Sequence, residues 1–286
     1  KRLRGKPAEC PTIGCPVCEA DIVHGNMAAV MLSYFLKKIG IGRAQARRTE
    51  AVFGVPCGAQ DALLDKYYRL AEACGIGSVS FVEVPFLAAF GQNLTLSEST
   101  PAFVVDIGGG STNIAAISMD GIIAGVGLNI GGGNIDSHII DTIAESFNLK
   151  IGLLSGEKVK CTVASLYKTD NERMVVNGRD ISGGRPRSVA VSSEDVYDCV
   201  RVFADKLSEY IGLVLAKLPA EVSASVWHTG IYLSGGGAKL IGLDDYLSKQ
   251  LQMDVNVAEE PQMAVVLGGG SAVGNADILD TVRIEY

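Results

Sequence analysis

The chain of 286 residues is long enough for two domains with large buried cores. Hydrophobic residues make up 48% of it, which excludes a disordered chain, and no apolar run reaches the roughly 18 residues of a membrane-spanning helix. The net charge of −7 and the lack of a long basic stripe in the sequence exclude nucleic acid as an expected partner.

Seven cysteines, an odd number at irregular spacing, indicate free thiols in a reducing compartment rather than a disulfide framework. We expect a cytoplasmic protein, because no apolar signal stretch follows the basic start of the sequence. Cys10, Cys15 and Cys18 lie close together, and the last two form a CxxC motif. A zinc site would need a fourth ligand, for which His24 is the candidate. Free thiols are the favoured interpretation, since no second CxxC follows.

Strands and helices alternate along the chain, which predicts an α/β fold. Residues 1–25 are rich in Pro, Cys and Gly and indicate a loop with one strand at most. A helix is predicted at 27–38, and its stripe of Met and aromatic residues is expected to face the core. The next predicted elements are a buried strand at 51–56, a helix at 61–74, a strand at 79–82 and a helix opened by Pro85.

The second part of the sequence begins with three β-runs, and further helices and strands follow. The β-runs lie at 103–107, 113–118 and 122–128, and the next helices at 134–147 and 157–167. A hairpin is predicted around 174–179, and then a long helix at 193–217 with Ser193 as its N-cap. The last predicted elements are a strand at 230–233, a helix at 243–251, a strand at 255–257 and a helix at 260–268.

A glycine cluster, Asp106-Ile107-Gly108-Gly109-Gly110-Ser111-Thr112, joins the first two of these β-runs. This arrangement predicts a hairpin whose tip is bare backbone. Backbone N–H groups at such a tip can bind phosphate oxygens, and a carboxylate such as Asp106 can hold a metal ion through water. Three glycines followed by two hydroxyls favour phosphate binding over an ordinary tight turn.

Three further glycine clusters and one charge pair are also candidates. The cluster at 234–237 is predicted to bind phosphate, because a strand precedes it and a helix follows. The cluster at 131–133 either binds phosphate or only lets a strand meet a helix, and the sequence leaves both open. The cluster at 267–271 is predicted to be a helix C-cap and bend. Glu157 and Lys160 are either ligand contacts or an ordinary solvated pair.

Taken together, these motifs resemble those of the actin-like ATPases and occur in the same order. The matching segments are DIGGGST at 106–112, IGGGNID at 130–136, GEKVK at 156–160, LSGGGAKLIGLD at 233–244 and AEEPQMAVVLGGG at 258–270. The segments at 77–91 and 178–196 also fit, and the second of them is most similar to the MreB family of bacterial actins. The resemblance covers about residues 21–270.

This resemblance implies a two-lobed fold with mixed sheets flanked by helices, and with ATP and Mg²⁺ in a cleft between the lobes. Residues 1–98 would form part of the first lobe, and 99–258 the second lobe with a small insertion subdomain at about 150–192. Residues 259–286 would return to the first lobe. The implied function is a filament protein that supports bacterial cell shape by self-association into protofilaments. Membrane contact and membrane-bound cell-shape partners are implied by the resemblance alone.

The resemblance also implies a role for each matching residue. Asp106 would face the metal ion. Phosphate contacts would come from Gly108, Gly109, Gly110, Ser111 and Thr112. Glu157 and Lys160 would reach the ribose and adenine. The α-phosphate and adenosine would lie against Gly235, Gly236 and Gly237.

The chain departs from the family pattern in three places, which predicts weak or impaired hydrolysis. The family's first phosphate hairpin, with its own metal-facing aspartate, would lie before Lys1. Val84 stands where the family places a glutamate that orients the attacking water. Glu83 is therefore the catalytic candidate, although alternation along a strand end points it to the other side. Gly133 stands where the family usually has an acidic residue.

Other functions remain as alternatives. The runner-up is a degenerate, non-catalytic actin-like protein that binds or caps a partner filament. A small-molecule kinase of the same superfamily would need an additional base in the cleft, and the sequence offers no motif for it. A chaperone-like ATPase would need a substrate domain, for which residues 275–286 are too few.

Overall fold

The computed structural model describes residues 15–97 and 100–286, which form an α/β fold with mixed sheets flanked by helices. The predicted fold class is therefore confirmed. None of the described helices has the length and apolar composition needed to cross a bilayer.

The first part of the described chain contains a short hairpin and a pair of parallel strands with their helices. Its elements are β1 (Val17–Cys18), β2 (Asp21–Ile22), α1 (Gly25–Lys38), α2 (Arg43–Ala46), β3 (Glu50–Val55), α3 (Asp61–Ala73), β4 (Ser78–Glu83) and α4 (Val84–Gly91). Strands β1 and β2 pair antiparallel, and β3 pairs parallel with β4. Residues 17–22 thus form a hairpin where one strand was expected within 1–25.

The second part is larger, and its elements follow in chain order. They are β5 (Ala102–Ile107), β6 (Thr112–Ser118), β7 (Gly121–Leu128), α5 (Gly132–Phe147), β8 (Leu149–Lys150), α6 (Leu153–Val163), β9 (Arg173–Asp180), β10 (Pro186–Ser192), α7 (Ser193–Leu215), α8 (Ala220–Thr229), β11 (Ile231–Ser234), a 3-10 helix (Gly236–Lys239), α9 (Leu243–Leu251), β12 (Val255–Val257), α10 (Ala264–Val273) and α11 (Ala276–Val282).

A mixed sheet organises this second part. Its strands lie in the order β12-β11-β5-β6-β7, with β5, β6 and β7 antiparallel and β11 parallel to both β5 and β12. Every residue of β5 and β6 is buried, because helices cover both faces of these central strands. Parallel pairing of β5 with β11 brings their carboxyl ends to the same edge, where ligand sites of α/β sheets lie.

The end of the chain packs against elements from its first part. Helix α10 packs on α4 and contacts β3, and α11 contacts β4. The backbone N–H of Ile284 donates to the carbonyl of Phe81 at 2.8 Å. These contacts are those that a return of residues 259–286 to the first lobe would make. A separate sheet of β8, β9 and β10 falls within the predicted insertion at 150–192 and its edge, and the division into lobes stays a prediction.

The expectation that the Met and aromatic stripe of α1 faces the core is wrong. Val30, Tyr34 and Phe35 are 71%, 61% and 51% exposed. The side of α1 that packs carries Ala28 and Leu32 instead. Both sides of this helix are apolar at helical spacing, so the period alone does not determine which side is buried.

Two helix ends also differ from the sequence prediction. Ser192, not Ser193, caps α7, and the side chains and N–H groups of Ser192 and Asp195 bond reciprocally in a capping box. Gly268 to Gly270 lie inside α10, so the predicted C-cap and bend at 267–271 is wrong. A Cβ on Gly268 would lie 1.8 Å from the carbonyl oxygen of Leu87. This glycine is needed for close approach of α10 to α4, and not for a cap.

Candidate functional site

Asp106 lies near the carboxyl end of β5 and is 7% exposed. Ser234, directly opposite on the parallel strand β11, donates a hydrogen bond from Oγ to Asp106 Oδ1 at 2.9 Å. Burial raises the pKa of the Asp106 carboxyl, and the hydrogen bond from Ser234 partly opposes that shift. The two strands thus hold a carboxylate at the sheet edge, with one oxygen already bonded.

The loop after Asp106 is a tight hairpin, as the sequence predicts. The N–H of Gly108 donates to the carbonyl of Ser111 at 2.8 Å, and Ile107 pairs with Thr112. The hydroxyl of Thr112 is buried and donates to the carbonyl of Ile130 at 2.7 Å. The Thr112 hydroxyl therefore connects the hairpin to the second glycine cluster.

The tip of the same hairpin touches the β1–β2 turn. A Cβ on Gly110 would lie 3.1 Å from the backbone N of Glu19. Glu19 and Ala20, which form that turn, both have positive φ, at 51° and 61°. Non-glycine residues in this conformation carry strain, so a strained turn from the first part of the chain contacts the hairpin.

The second glycine cluster packs directly on the hairpin. The N–H groups of Gly132 and Gly133 donate to the carbonyls of Gly108 and Gly109 at 3.0 and 2.7 Å. A Cβ on Gly131, the N-cap of α5, would lie 2.6 Å from the Gly108 carbonyl oxygen. Of the two interpretations left open by the sequence, the structure thus shows the strand-to-helix turn, and two of its N–H groups already have partners.

The third glycine cluster packs on the other side of β5. Gly235 has a φ of 80°, and a Cβ there would lie 2.3 Å from the carbonyl oxygen of Ile107. A Cβ on Gly237 would lie 2.2 Å from Ile107 Cγ2. Glycine is required at both positions, because only a bare backbone lets the 3-10 helix approach the start of the hairpin.

Lys160 on α6 is held against the start of α5. Its Nζ lies 2.8 Å from Asp136 Oδ1 and donates to the carbonyl of Gly132 at 2.8 Å. Both side chains of this ion pair are mostly buried. The sequence left Glu157 and Lys160 open as either ligand contacts or an ordinary solvated pair, and the structure ties Lys160 to the start of a neighbouring helix as well.

These elements enclose a cavity of about 490 Å³, a size typical of small-molecule sites. Six of the predicted site residues line it: Gly108, Gly109, Glu157, Lys160, Gly236 and Gly237. The sequence analysis left Gly132 open as a phosphate contact and missed the rest of the lining: Ile135, Cys161, Ala164, Lys239, Leu240, Ile241 and Gln262. A signal was available, since each of these residues lies within or shortly after a segment that resembles the family. Gln262 belongs to the segment at 258–270, which returns to the first part of the chain.

The other predicted residues lie behind or beside this cavity. Asp106, Gly110, Ser111, Thr112 and Gly235 belong to the hairpin, its flanking strands and the third cluster, and they do not form its lining. Gly110 is at the tip of the hairpin and Gly235 supports its start. The predicted metal contact of Asp106 and the predicted phosphate contacts of the other four residues stay predictions.

Glu83 does not line the cavity either. It is the N-cap of α4, and its Oε1 accepts a hydrogen bond of 2.6 Å from the N–H of Gly58. Burial raises the pKa of Glu83, and that hydrogen bond partly opposes the shift. Cys57 directly precedes Gly58, and its N–H donates to Asn113 Oδ1 at 2.9 Å. Asn113 in turn pairs with Asp106 across β5 and β6. Glu83 is thus linked to β5 and β6, the strands of the hairpin, through the segment Cys57–Gly58.

The CxxC motif lies in the β1–β2 region, where Cys15 and Cys18 are both exposed. Cys10, the third cysteine of the considered zinc site, lies outside the described residues. Within 15–97 and 100–286, His, Cys, Asp and Glu side chains form no cluster of three or more that could hold a metal ion.

The sequence model of a family described as MreB/Mbl protein matches residues 1–281. The chain belongs to the MreB/Mbl family. It is 31% identical over 264 residues to the cell shape-determining protein MreB of Escherichia coli K12, covering 92% of this chain and 76% of that relative. The cell shape-determining protein Mbl of Bacillus subtilis 168 is 30% identical over 271 residues, with 94% and 81% covered.

Solved structures of actin-like proteins share the fold of this MreB/Mbl chain. MreB5 of Spiroplasma citri bound to AMPPNP superposes with a TM-score of 0.90 at 23% identity, covering 98% of this chain and 84% of that one. The MamK double helical filament gives a TM-score of 0.76 at 21% identity, covering 91% and 80%. The predicted resemblance to actin-like proteins is confirmed.

Proposed function

We propose that this MreB/Mbl protein binds ATP with Mg²⁺ in the cavity and assembles into actin-like filaments that support bacterial cell shape. The observation that carries the proposal is the convergence of three glycine clusters around Asp106 and a cavity of about 490 Å³. The MreB5 structures with AMPPNP and with ADP support a nucleotide as the ligand, and the named relatives are cell shape-determining proteins.

The residues present fit such a ligand. Asp106 offers a free carboxylate oxygen toward a hydrated Mg²⁺, since Ser234 bonds only Oδ1, and the metal ion would neutralise phosphate charge. The hairpin backbone at Gly108 and Gly109 would hold the phosphates. The wall of Ala164, Leu240 and Ile241 is apolar and would suit the base, with Glu157 and Lys160 near the ribose.

We further propose that hydrolysis is slow. Glu83 lies outside the cavity lining, and its Oε1 already accepts from the Gly58 N–H. Val84, where the family has a glutamate, has no group that can orient water. Slow hydrolysis favours long-lived filaments, and it also keeps a non-catalytic filament-binding protein as the second candidate.

A membrane surface is the proposed location of these filaments. Helix α1 exposes Val30, Tyr34 and Phe35, and its last turn carries Lys37 and Lys38. Exposed apolar and aromatic side chains beside lysines suit an anionic lipid surface. Sedimentation with anionic and neutral vesicles tests this: Tyr34→Ser should reduce binding to anionic vesicles, and equal binding of both proteins would contradict it.

Titration calorimetry with ATP–Mg²⁺ tests the ligand. We expect micromolar binding that Asp106→Asn weakens at least tenfold, because a carboxylate–metal contact is lost. Asp141→Asn, an exposed aspartate on α5, is the matched control and should bind as the wild type does. No binding by a folded wild-type protein would overturn the proposal.

Assembly and hydrolysis need separate measurements. Pelleting at increasing protein concentration with ATP–Mg²⁺ should show a critical concentration, and a protein that stays monomeric would contradict filament formation. Phosphate release by Val84→Glu should exceed that of the wild type. No increase in a variant that binds ATP would favour the non-catalytic candidate.

A further inference from the structure

Lys239 and Gln262 form a polar pair at the cavity, although the sequence analysis gave neither residue a role. Lys239 ends the 3-10 helix after the third glycine cluster, and Gln262 precedes α10. Lys239 Nζ donates to Gln262 Oε1 at 3.4 Å, and both side chains line the cavity. The pair therefore joins the third glycine cluster to the returning end of the chain at the ligand site.

The two lysines of the cavity differ in how their charges are compensated. Lys160 has a carboxylate partner, Asp136, at 2.8 Å. Among the residues that the structure describes, Lys239 donates to the neutral amide of Gln262, and this distance is at the long end for a hydrogen bond. A phosphate oxygen would be a stronger acceptor for this ammonium than an amide oxygen.

The pair adjoins the third glycine cluster, which itself packs on the start of the hairpin. A Cβ on Gly236 would lie 3.5 Å from Gln262 Nε2. The preceding residue, Gly235, packs on the carbonyl of Ile107, immediately before Gly108. The third glycine cluster thus connects the hairpin to the Lys239–Gln262 pair.

We propose that Lys239 is a phosphate-binding cation of this cleft and that Gln262 holds its ammonium in place until a nucleoside polyphosphate binds. This inference rests on the proposed function, because it concerns the same ligand. On binding, the ammonium exchanges the amide oxygen of Gln262 for a phosphate oxygen. Lys239 then distinguishes phosphorylated ligands from the bare nucleoside.

The test compares Lys239→Gln with Lys158→Gln, which removes an equal charge from an exposed position on α6 outside the cavity. Calorimetry measures ATP–Mg²⁺ and ADP–Mg²⁺, and displacement of a fluorescent ADP analogue measures adenosine. Lys239→Gln should weaken ATP and ADP binding by about tenfold or more, as expected for loss of a charged hydrogen bond. It should leave adenosine unchanged and make ATP binding less sensitive to salt.

Each other outcome overturns a distinct claim. A folded wild-type protein that does not bind ATP overturns the proposed function and this inference with it. Wild-type binding that Lys239→Gln does not weaken overturns the inference alone. Equal losses for adenosine and ATP would assign Lys239 to the nucleoside instead of the phosphates. Lys239→Arg keeps the positive charge and should retain most of the ATP affinity. Unchanged adenosine binding by Lys239→Gln excludes a general loss of structure in that variant.

Discussion

Ser234 donates a hydrogen bond to Asp106 across the parallel strands β11 and β5, and both side chains are buried. Two effects on Asp106 oppose each other in this arrangement. Burial disfavours the carboxylate, whereas the Ser234 hydroxyl stabilises it, and the pKa of Asp106 is raised on balance. The ligand-free protein therefore bears a cost for keeping a charge where the proposed metal ion would bind.

Asp106→Asn should accordingly stabilise the ligand-free protein at neutral pH. Because the pKa of Asp106 is higher in the folded than in the unfolded chain, the stability that its protonated form contributes is lost as the pH rises through the folded pKa. The Tm of Asp106→Asn should exceed that of the wild type at neutral pH, and the difference should shrink in mild acid. Thermal unfolding at several pH values measures this, and a lower Tm for the variant at neutral pH would contradict it.

Ser234→Ala should have the opposite effect on stability. It leaves the buried Asp106 carboxylate without its hydroxyl donor, and an unsatisfied buried partner costs about 1–3 kcal/mol. Chemical denaturation at neutral pH should show this loss. The loss should be smaller when Ala replaces Ser234 in the Asp106→Asn background, and an equal loss there would mean that the two side chains are not coupled.

Gly268→Ala should destabilise the fold, whereas Gly269→Ala should not. A Cβ on Gly268 would lie 1.8 Å from the Leu87 carbonyl oxygen, so α10 and α4 would have to separate, at a cost of about 3 kcal/mol. A Cβ on Gly269 would meet nothing within 4 Å, and alanine within a helix gains roughly 0.5–1 kcal/mol over glycine. Urea denaturation compares the two, and similar effects would contradict this packing.

Cys161 should report on occupancy of the cleft. It is exposed and lines the cavity, so alkylation of Cys161 should slow when ATP–Mg²⁺ is bound. Labelling of Cys15, which is exposed and precedes β1, is the internal control. Cys57 should stay unlabelled in the native protein, because burial and the nearby Glu83 raise its pKa to about 12. Peptide mapping by mass spectrometry would contradict the assignment if ATP protected Cys161 and Cys15 equally.

Ala20→Gly should stabilise the protein. Ala20 has a φ of 61°, and a non-glycine residue in this region costs roughly 1–2 kcal/mol. The matched control is Ala62→Gly within α3, which should lower the free energy of unfolding by about 1 kcal/mol. Denaturant titration measures the free energy of unfolding of both variants. A loss of stability in Ala20→Gly would show that the turn is unstrained.

Much of the fold and part of the site could be predicted from local patterns. The apolar runs at 103–107, 113–118 and 122–128 predicted β5, β6 and β7 to within about a residue at most ends, because strand formation depends on the nearby side chains. The glycine clusters likewise predicted the hairpin after Asp106. Their order along the chain predicted the family, which the match over residues 1–281 confirms.

The sequence by itself therefore determined most of the helices and strands, the family and the position of the hairpin after Asp106. Only the tertiary structure decided which side of α1 is buried, why Gly268 must be a glycine, and which partners Lys160 and Lys239 have. The physical reason is that hydrophobic period and turn chemistry act over a few neighbouring residues. Packing and charge pairing instead depend on segments far apart in the chain, which meet only after it has folded.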